Sequence, residues 1–465
     1  MSPPSTTPSP TPPPTLCPAL FLAAPASGQG KTTVTAAIAR LLTRQGKVVR
    51  VFKTGPDYLD PQILAQASGQ PVVQLDMWMA GEPWCQQKLY EAACTADLIL
   101  IEGAMGLFDG QPSSADLAAR FQIPVAIIMD VKGMAQTAAA IALGLANFRD
   151  DFTTAGLIAN NCGSERHRQL IEESLPESLP LLATLKRSEE VALPERHLGL
   201  VQAQEVADTL ELRFEAAADW IQEAGILPWL NALKPVQFQP EAIRSLPKLL
   251  ANKRIAIARD EAFSFIYASN LQLLEAMGAE LCFFSPIHDS AINNTSGAEP
   301  DALWLPGGYP ELHAKLLAEN TAMIQQIQAF HRQNKPILAE CGGFLYCLQD
   351  LCDLDDNTHN MAALIDGSGA MRGKRGCQGM QTAPLPEGQI RGHAHHRSRS
   401  EGTPPPIAHG IRQRHPAPGE AIYREGALTA SYLHLFFPSN PEAIARLFLG
   451  QTKQTVNLEA KKYVN

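Results

Sequence analysis

Two α/β domains in series, each a doubly wound parallel sheet, is the fold class this sequence predicts. Three observations carry it: short apolar runs alternate with helix-length amphipathic stretches, a proline-punctuated break interrupts the alternation, and the alternation then restarts. Strands buried on both faces read as continuous apolar runs, and their alternation with helices implies parallel pairing through crossovers. A chain of 465 residues is also too long for one ordinary core. No internal repeat is visible.

Taken in order, residues 1–18 are almost all Pro, Ser and Thr. They have neither the basic start nor the apolar stretch of a signal peptide and predict a disordered tail. The apolar runs Ala19–Ala24, Val48–Phe52, Leu98–Ile101, Val125–Met129, Ala155–Ala159 and Leu181–Leu185 predict the strands of a first domain over 19–235. A helical stretch near Val206–Ala224 gives way to Pro-punctuated sequence from Pro228 to Pro247, which puts a linker at 236–252. Arg254–Ala258, Glu280–Phe284, Ala302–Leu305, Pro336–Ala339 and Tyr432–Phe437 are strands of a second domain over 253–450, with helices at Ala268–Met277 and Asn320–Gln333. Residues 451–465 are a C-terminal tail.

Charge and cysteine usage exclude several functions. A net charge of -9 leaves no basic surplus to neutralise nucleic-acid phosphates. Nine cysteines, an odd count without paired spacing, point to a reducing cytoplasm and not to a disulfide framework. No apolar run approaches the roughly 18 residues of a membrane helix. The expected location is therefore cytoplasmic, with neither nucleic acid nor membrane as partner.

The segment Ala24-Pro-Ala-Ser-Gly-Gln-Gly-Lys-Thr-Thr33 follows a strand and opens a helix. Gly28 and Gly30 let the backbone wrap so that its N–H groups face phosphate oxygens at a helix N-terminus. Lys31 would reach the terminal phosphates of ATP, and Thr32, followed by Thr33, would place its hydroxyl on Mg²⁺. The strict P-loop pattern asks for Gly where Pro25 stands. Two further strand ends carry acid: Glu102, leading into Glu102–Gly110, and Asp57 and Asp60 in Lys53-Thr-Gly-Pro-Asp-Tyr-Leu-Asp60. Carboxyl ends of parallel strands are where such sheets bind ligands. Mg²⁺ takes few carboxylates plus phosphate oxygens, which suits Thr32, Asp57 and Glu102. Lys53 is positioned to offset charge on a transferring phosphoryl group. Each alone could be a plain loop residue; convergence on three strand ends favours a nucleotide–metal site.

In Lys335-Pro-Ile-Leu-Ala-Glu-Cys341-Gly-Gly-Phe, a cysteine occupies a strand–turn–helix junction. This is the geometry of an exposed nucleophile, and a helix N-terminus lowers a thiol pKa. An acyl-transfer cysteine needs an oxyanion hole and a base. Backbone N–H groups of Gly342 and of Gly308, in Leu305-Pro-Gly-Gly-Tyr-Pro-Glu311, suit the hole, and His434 in Ser431–Phe437 suits the base. A histidine in an apolar strand is ordinarily a satisfied core group; pairing with Cys341 reverses that preference. The rival to His434 is the cluster His393, His395 and His396, which, read as a metal site, lacks Cys or carboxylate partners at ligand spacing.

From about Leu20 to Leu447 the chain resembles the cobyrinic acid a,c-diamide synthases of cobalamin biosynthesis. The resemblance rests on Lys53–Asp60, Glu102–Gly110, Val191–Leu200, Ala256–Asp260, Leu305–His313, Glu340–Gly343 and Ser431–Leu435. It implies a P-loop domain related to dethiobiotin synthetase followed by a class I glutamine amidotransferase domain. Relatives carry a one-residue-longer P-loop, which accounts for Pro25. The implied chemistry takes ammonia from L-glutamine at Cys341 with help from His434. ATP phosphorylates the a- and c-acetate carboxylates of a corrinoid, and ammonia then displaces phosphate. The resemblance also places Asn160 and Asn161 at adenine, and Tyr58, Leu59, Asp60 and Asp109 in the substrate or phosphoryl loops. A homodimer is the oligomeric state it admits.

Two positions depart from expected patterns, the first that of class I amidotransferases and the second that of the resembling family. Phe436 stands where most have a Glu that orients the histidine, and Ala394 stands where the Arg391–His396 motif commonly has an acidic residue. Hydrogenobyrinic acid a,c-diamide synthase, acting on the cobalt-free corrin, is the alternative within this chemistry. Cobyric acid synthase lacks the Val191–Leu200 segment, and a partitioning-type regulatory ATPase would have no glutaminase half.

Overall fold

In the computed structural model, which describes residues 12–193, 195–196, 199–200, 207–241, 246–292, 299–372, 376 and 378–451, both halves of the chain fold around a parallel sheet. The chain divides into two compact units, Met1–Arg244 and Ser245–Asn465. Among the described residues no helix is long and apolar enough to cross a membrane.

The strands of the first unit are β1 (Thr15–Ala23), β2 (Val49–Thr54), β3 (Val73–Leu75), β4 (Leu98–Glu102), β5 (Val125–Asp130), β6 (Thr154–Asn160) and β7 (Leu181–Thr184), followed by β8 (Glu195–Arg196), β9 (Gly199–Leu200) and β10 (Pro235–Phe238). Its helices are α1 (Lys31–Arg44), α2 (Leu59–Ser68), α3 (Glu82–Ala93), α4 (Ser114–Phe121), α5 (Gln136–Asn147), α6 (Glu165–Glu172), α7 (Ala207–Glu223) and α8 (Leu227–Asn231). The sheet order is β3-β2-β4-β1-β5-β6-β7, parallel throughout. Because strand side chains alternate, β1 sends Ala19, Phe21 and Ala23 to one core and Leu20 and Leu22 to the other. Each fully buried Leu or Phe among them stabilises by about 1.5–3 kcal/mol. Two covered faces leave the strand ends as the place for polar chemistry.

Two expected boundaries shift. Thr15–Pro18 is not tail but the start of β1, and Pro235–Phe238, which runs into the expected linker, pairs with it antiparallel. Proline sits at Pro18 and Pro235 on this edge pairing, where a missing N–H is tolerated. The expected tail over 1–11 and that over 452–465 lie outside the described residues, as do Pro194, His197 and Leu198 of the Val191–Leu200 segment.

The second unit contains β11 (Arg254–Ala258), β12 (Glu280–Phe284), β13 (Ala302–Leu305), β14 (Ile337–Glu340), β15 (Asp350–Cys352), β16 (Thr358–Asn360), β17 (Ser368–Met371), β18 (Gly379–Leu385), β19 (Gly388–Ala394), β20 (Ser398–Glu401), β21 (Ala408–His409), β22 (Ile411–Arg412), β23 (Ala421–Glu425), β24 (Leu428–Ser431) and β25 (Leu433–Leu435). Its helices are α9 (Ala268–Ala276), α10 (Ala314–Glu319), α11 (Thr321–Arg332), α12 (Gly342–Cys347) and α13 (Pro441–Leu449). The main sheet runs β12-β11-β13-β14-β24-β23-β21, parallel from β12 to β24 and antiparallel beyond. The single strand expected over Tyr432–Phe437 is a correction. Its Leu433–Leu435 part joins a separate sheet, β22-β18-β19-β25, while the parallel neighbour of β14 is the preceding β24.

Candidate active sites

At the phosphate loop, β1 ends before Gly28 and Gly30, whose φ values of 75° and 92° lie in the left-handed region that glycine alone enters freely. Gly30 caps α1 at its N-terminus, so the first helical N–H groups and the positive end of the helix face the loop. The Lys31 ammonium closes over the loop and donates to the carbonyls of Ala26 (3.1 Å) and Met105 (2.8 Å). Burial, with the neighbouring Lys53 charge, pushes its pKa down to about 8. Asn160 donates to the Gln29 carbonyl (3.0 Å), and Asn161 donates to Asp130 (2.9 Å). Asn160 thus braces the phosphate loop from the end of β6.

The three strand ends meet around Lys53. In the β2–β4 register Lys53 faces Glu102, and its ammonium contacts Glu102 Oε1 (2.5 Å) and Asp60 Oδ2 (2.6 Å). Burial works against this ammonium, yet Asp60, Glu102 and Asp57 together raise its pKa above the ordinary lysine range. Thr32 Oγ1 donates to the same Glu102 oxygen (2.8 Å). The other, Oε2, is buried without a hydrogen-bond partner among the described residues. Burial raises the Glu102 pKa, with Lys53 opposing. Asp57 Oδ1 accepts the Leu59 and Asp60 N–H groups (3.0 and 3.1 Å), and burial with the Asp60 charge pushes its pKa up to about 7. Asp60 is half-buried, and Lys53 holds it below the usual carboxylate range against the effect of that burial. Asp109 accepts the Gly106 N–H (3.0 Å) and fixes the loop after β4. An orphaned buried carboxylate oxygen on the residue that holds the Thr32 hydroxyl, with Asp57 acting on the same Lys53, fits a divalent cation shared with phosphate oxygens.

Cys341 follows β14 at φ 47°, ψ −102°, a strained turn, with α12 beginning at the next residue. Its N–H donates to the Ser431 carbonyl (2.8 Å), extending the β14–β24 pairing to this cysteine. The side chain is only 5% exposed. Burial, then the charges of Glu311, Glu420 and Glu340, raise the thiol pKa above its ordinary value, outweighing the Gly342 N–H. This corrects the expectation of a lowered pKa: the helix terminus acts here on a desolvated thiol among three carboxylates.

The turn after β13 connects the remaining groups. A Cβ on Gly342 would stand 2.9 Å from the Gly308 nitrogen, so both expected oxyanion-hole residues adjoin. A Cβ on Gly307 would collide with the His434 ring. Gly342, the residue after Cys341, and the His434 imidazole therefore flank one glycine turn. His434 is 1% exposed, lies 6.0 Å from the Phe265 ring, and pairs in register with His393 across β19–β25. Burial, then the charges of His393, His396 and His395, lowers its pKa well below the ordinary imidazole range. A neutral imidazole can accept a proton.

One further side chain at this site, Glu340, was given no role by sequence reasoning. Glu340 Oε2 accepts the Trp304 indole N–H (2.9 Å) and Oε1 accepts the Leu435 N–H (2.7 Å). His396 lies flat on the Tyr432 ring, with centroids 3.9 Å apart, and pairs with Glu420 at 3.0 Å. Phe436 packs against Tyr267 instead of orienting His434. The adjacency of Glu340 to Cys341 was the available signal; its partners are distant in sequence.

Known proteins match this arrangement over both units. Residues 20–201 match a CobQ/CobB/MinD/ParA nucleotide binding domain, and residues 254–442 match a CobB/CobQ-like glutamine amidotransferase domain. Over 432 residues the chain is 52% identical to a hydrogenobyrinate a,c-diamide synthase of Stutzerimonas stutzeri, covering 93% of this chain and 98% of that protein. A hydrogenobyrinate a,c-diamide synthase of Pseudomonas aeruginosa is 49% identical over 93% of this chain and 97% of its own length. A cobyrinate a,c-diamide synthase of Herminiimonas arsenicoxydans is 47% identical over 92% of this chain and 96% of its own.

Proposed function

The chain belongs to the cobyrinate and hydrogenobyrinate a,c-diamide synthases, and from that premise we propose which of its residues perform the amidation. It is an ATP-using, glutamine-dependent carbon–nitrogen ligase that amidates the a- and c-acetate carboxylates of a corrinoid. The observation that carries the residue assignment is the pair of strand-end constellations, one in each unit: Lys53–Glu102–Thr32 beside the phosphate loop, and Cys341 beside the Gly307–Gly308 turn.

In the second unit, Cys341 Sγ attacks the side-chain amide carbon of glutamine as His434 takes the thiol proton. The N–H groups of Gly308 and Gly342 receive the developing oxyanion. His434 returns the proton to the departing nitrogen, ammonia leaves, and water hydrolyses the thioester to glutamate. In the first unit, a substrate carboxylate attacks the γ-phosphorus of ATP to give an acyl phosphate and ADP. Ammonia then attacks the acyl carbon and phosphate leaves. Lys31 neutralises phosphate charge, while Lys53 holds Asp60 and Glu102 in place. Thr32, Asp57 and Glu102 would hold Mg²⁺, which when bound screens the phosphate charges. Adenine recognition falls to the region of Asn161, with Asn160 bracing the loop. The eight free cysteines among the described residues suit a reducing cytoplasm.

Cobyrinic acid is the proposed substrate. The second reading, hydrogenobyrinic acid, is favoured by the names of the relatives at 52% and 49% identity. Mass spectrometry after incubation with ATP, glutamine and each acid decides between them: only the true substrate gains two amides efficiently. Product from neither acid overturns the assignment.

A further inference from the structure

Three carboxylates press on the Cys341 thiol, and they differ in what engages them. Glu340 is bound by Trp304 and Leu435, and Glu420 by His396. Glu311, whose charge the thiol feels most strongly of the three, has no Lys, Arg or His partner among the described residues. Its own backbone N–H is what favours its ionised form, against a burial that pushes its pKa up to about 7. The 3₁₀ turn Pro310–Leu312 that carries it packs on α12, and a Cβ on Gly342 would lie 2.9 Å from Pro310 Cδ. The turn therefore runs beside the residue that follows the nucleophile.

A buried carboxylate is costly unless a cation or several donors satisfy it. Holding one beside an acyl-transfer nucleophile without a protein cation leaves room for a cation carried by the ligand. Free glutamine carries one, its α-ammonium. A glutamine within a peptide, or a simple carboxamide, does not. We propose that Glu311 is the subsite for the α-ammonium of glutamine and sets the preference of this site for the free amino acid. This rests on the reading of Cys341 as the glutaminase nucleophile. A charge-assisted pair in a water-poor site discriminates strongly against an analogue lacking one partner.

The test compares glutamine with glutaramate, which keeps the carboxylate and the amide but lacks the α-ammonium, using the full chain and measuring ammonia release. The wild type should prefer glutamine by about 100-fold in kcat/KM. Glu311→Gln should erase that preference, chiefly through KM for glutamine, while Glu311→Asp should restore part of it. Synthesis driven by added ammonium reports that the variant chain is folded. Equal loss on both amides, or an unchanged preference, overturns the α-ammonium assignment. Failure of the wild type to release glutamate from glutamine overturns the Cys341 reading instead.

Discussion

Glu340 accepts the Leu435 N–H at 2.7 Å, so the residue before Cys341 holds the main chain immediately after His434. Its other oxygen is held by Trp304 at 2.9 Å. A class I amidotransferase orients its histidine through an acid two residues beyond it; here Phe436 fills that place and a carboxylate on the neighbouring strand fixes the backbone instead. Glu340→Ala leaves two buried donors unsatisfied, at about 1–3 kcal/mol each. A displaced imidazole typically costs about 100-fold in turnover. We expect both a lower unfolding midpoint and a glutaminase kcat reduced by that order. A stability loss with kcat intact would leave Glu340 a purely structural clamp.

Cys341→Ala should abolish glutamine-dependent synthesis and preserve synthesis from added ammonium. The substitution removes the nitrogen source and leaves the strand ends of the first unit untouched. Product mass with each nitrogen source is the measurement. If ammonium does not rescue synthesis, the division of labour between the two sites is wrong.

Lys53→Met removes the cation that the buried Glu102 and the half-buried Asp57 and Asp60 share. Breaking a buried ion pair by deleting one partner costs about 3–5 kcal/mol. Chemical denaturation should show that loss, and amide formation should stop with either nitrogen source. Lys31→Met and Glu102→Gln should stop amide formation in the same way without requiring comparable destabilisation. An unchanged denaturation midpoint for Lys53→Met would mean that solvent already compensates these carboxylates.

The raised Cys341 pKa and the lowered His434 pKa make both groups neutral in the free protein at neutral pH. A raised thiol pKa means less thiolate at a given pH. Alkylation of Cys341 by iodoacetamide should therefore be slow at pH 7 and still be rising with pH beyond the ordinary free-thiol range of about 8.5. Peptide mass spectrometry across a pH series follows it. A plateau below pH 7 would show a pre-formed thiolate–imidazolium pair.

The strand ends that carry Lys31, Glu102 and Cys341 were legible because parallel strands are apolar throughout and their glycine turns break the pattern sharply. The β15–β23 region was not, since most of its strands are short and its two longer ones, β18 and β19, mix buried with exposed or half-buried positions. The β1–β10 pairing was hidden for a similar reason: Pro18 and Pro235 read as loop. Glu340 was visible as a neighbour of Cys341, but its effect depends on Trp304 and Leu435, which no local pattern connects to it. The thiol pKa was misjudged because a helix terminus is a local feature, whereas burial beside Glu311 and Glu420 comes from the fold.

Gly307 tests the geometry of the imidazole most directly. Its carbonyl accepts the Ser264 and Phe265 N–H groups (3.1 and 2.9 Å), so the turn is pinned and cannot retreat easily. A methyl group there would collide with the His434 ring, which is itself enclosed beside Phe265 and opposite His393. Gly307→Ala should therefore move the ring and not the turn, lowering glutamine-dependent synthesis by about 100-fold or more. Ammonium-dependent synthesis reports on the other unit and should persist. Gly308→Ala is the harsher control, because its Cβ would strike the Ala262 carbonyl and demand a backbone shift. If Gly307→Ala keeps full glutaminase turnover, His434 is not the base, and the search for one moves to His396 and its Glu420 partner.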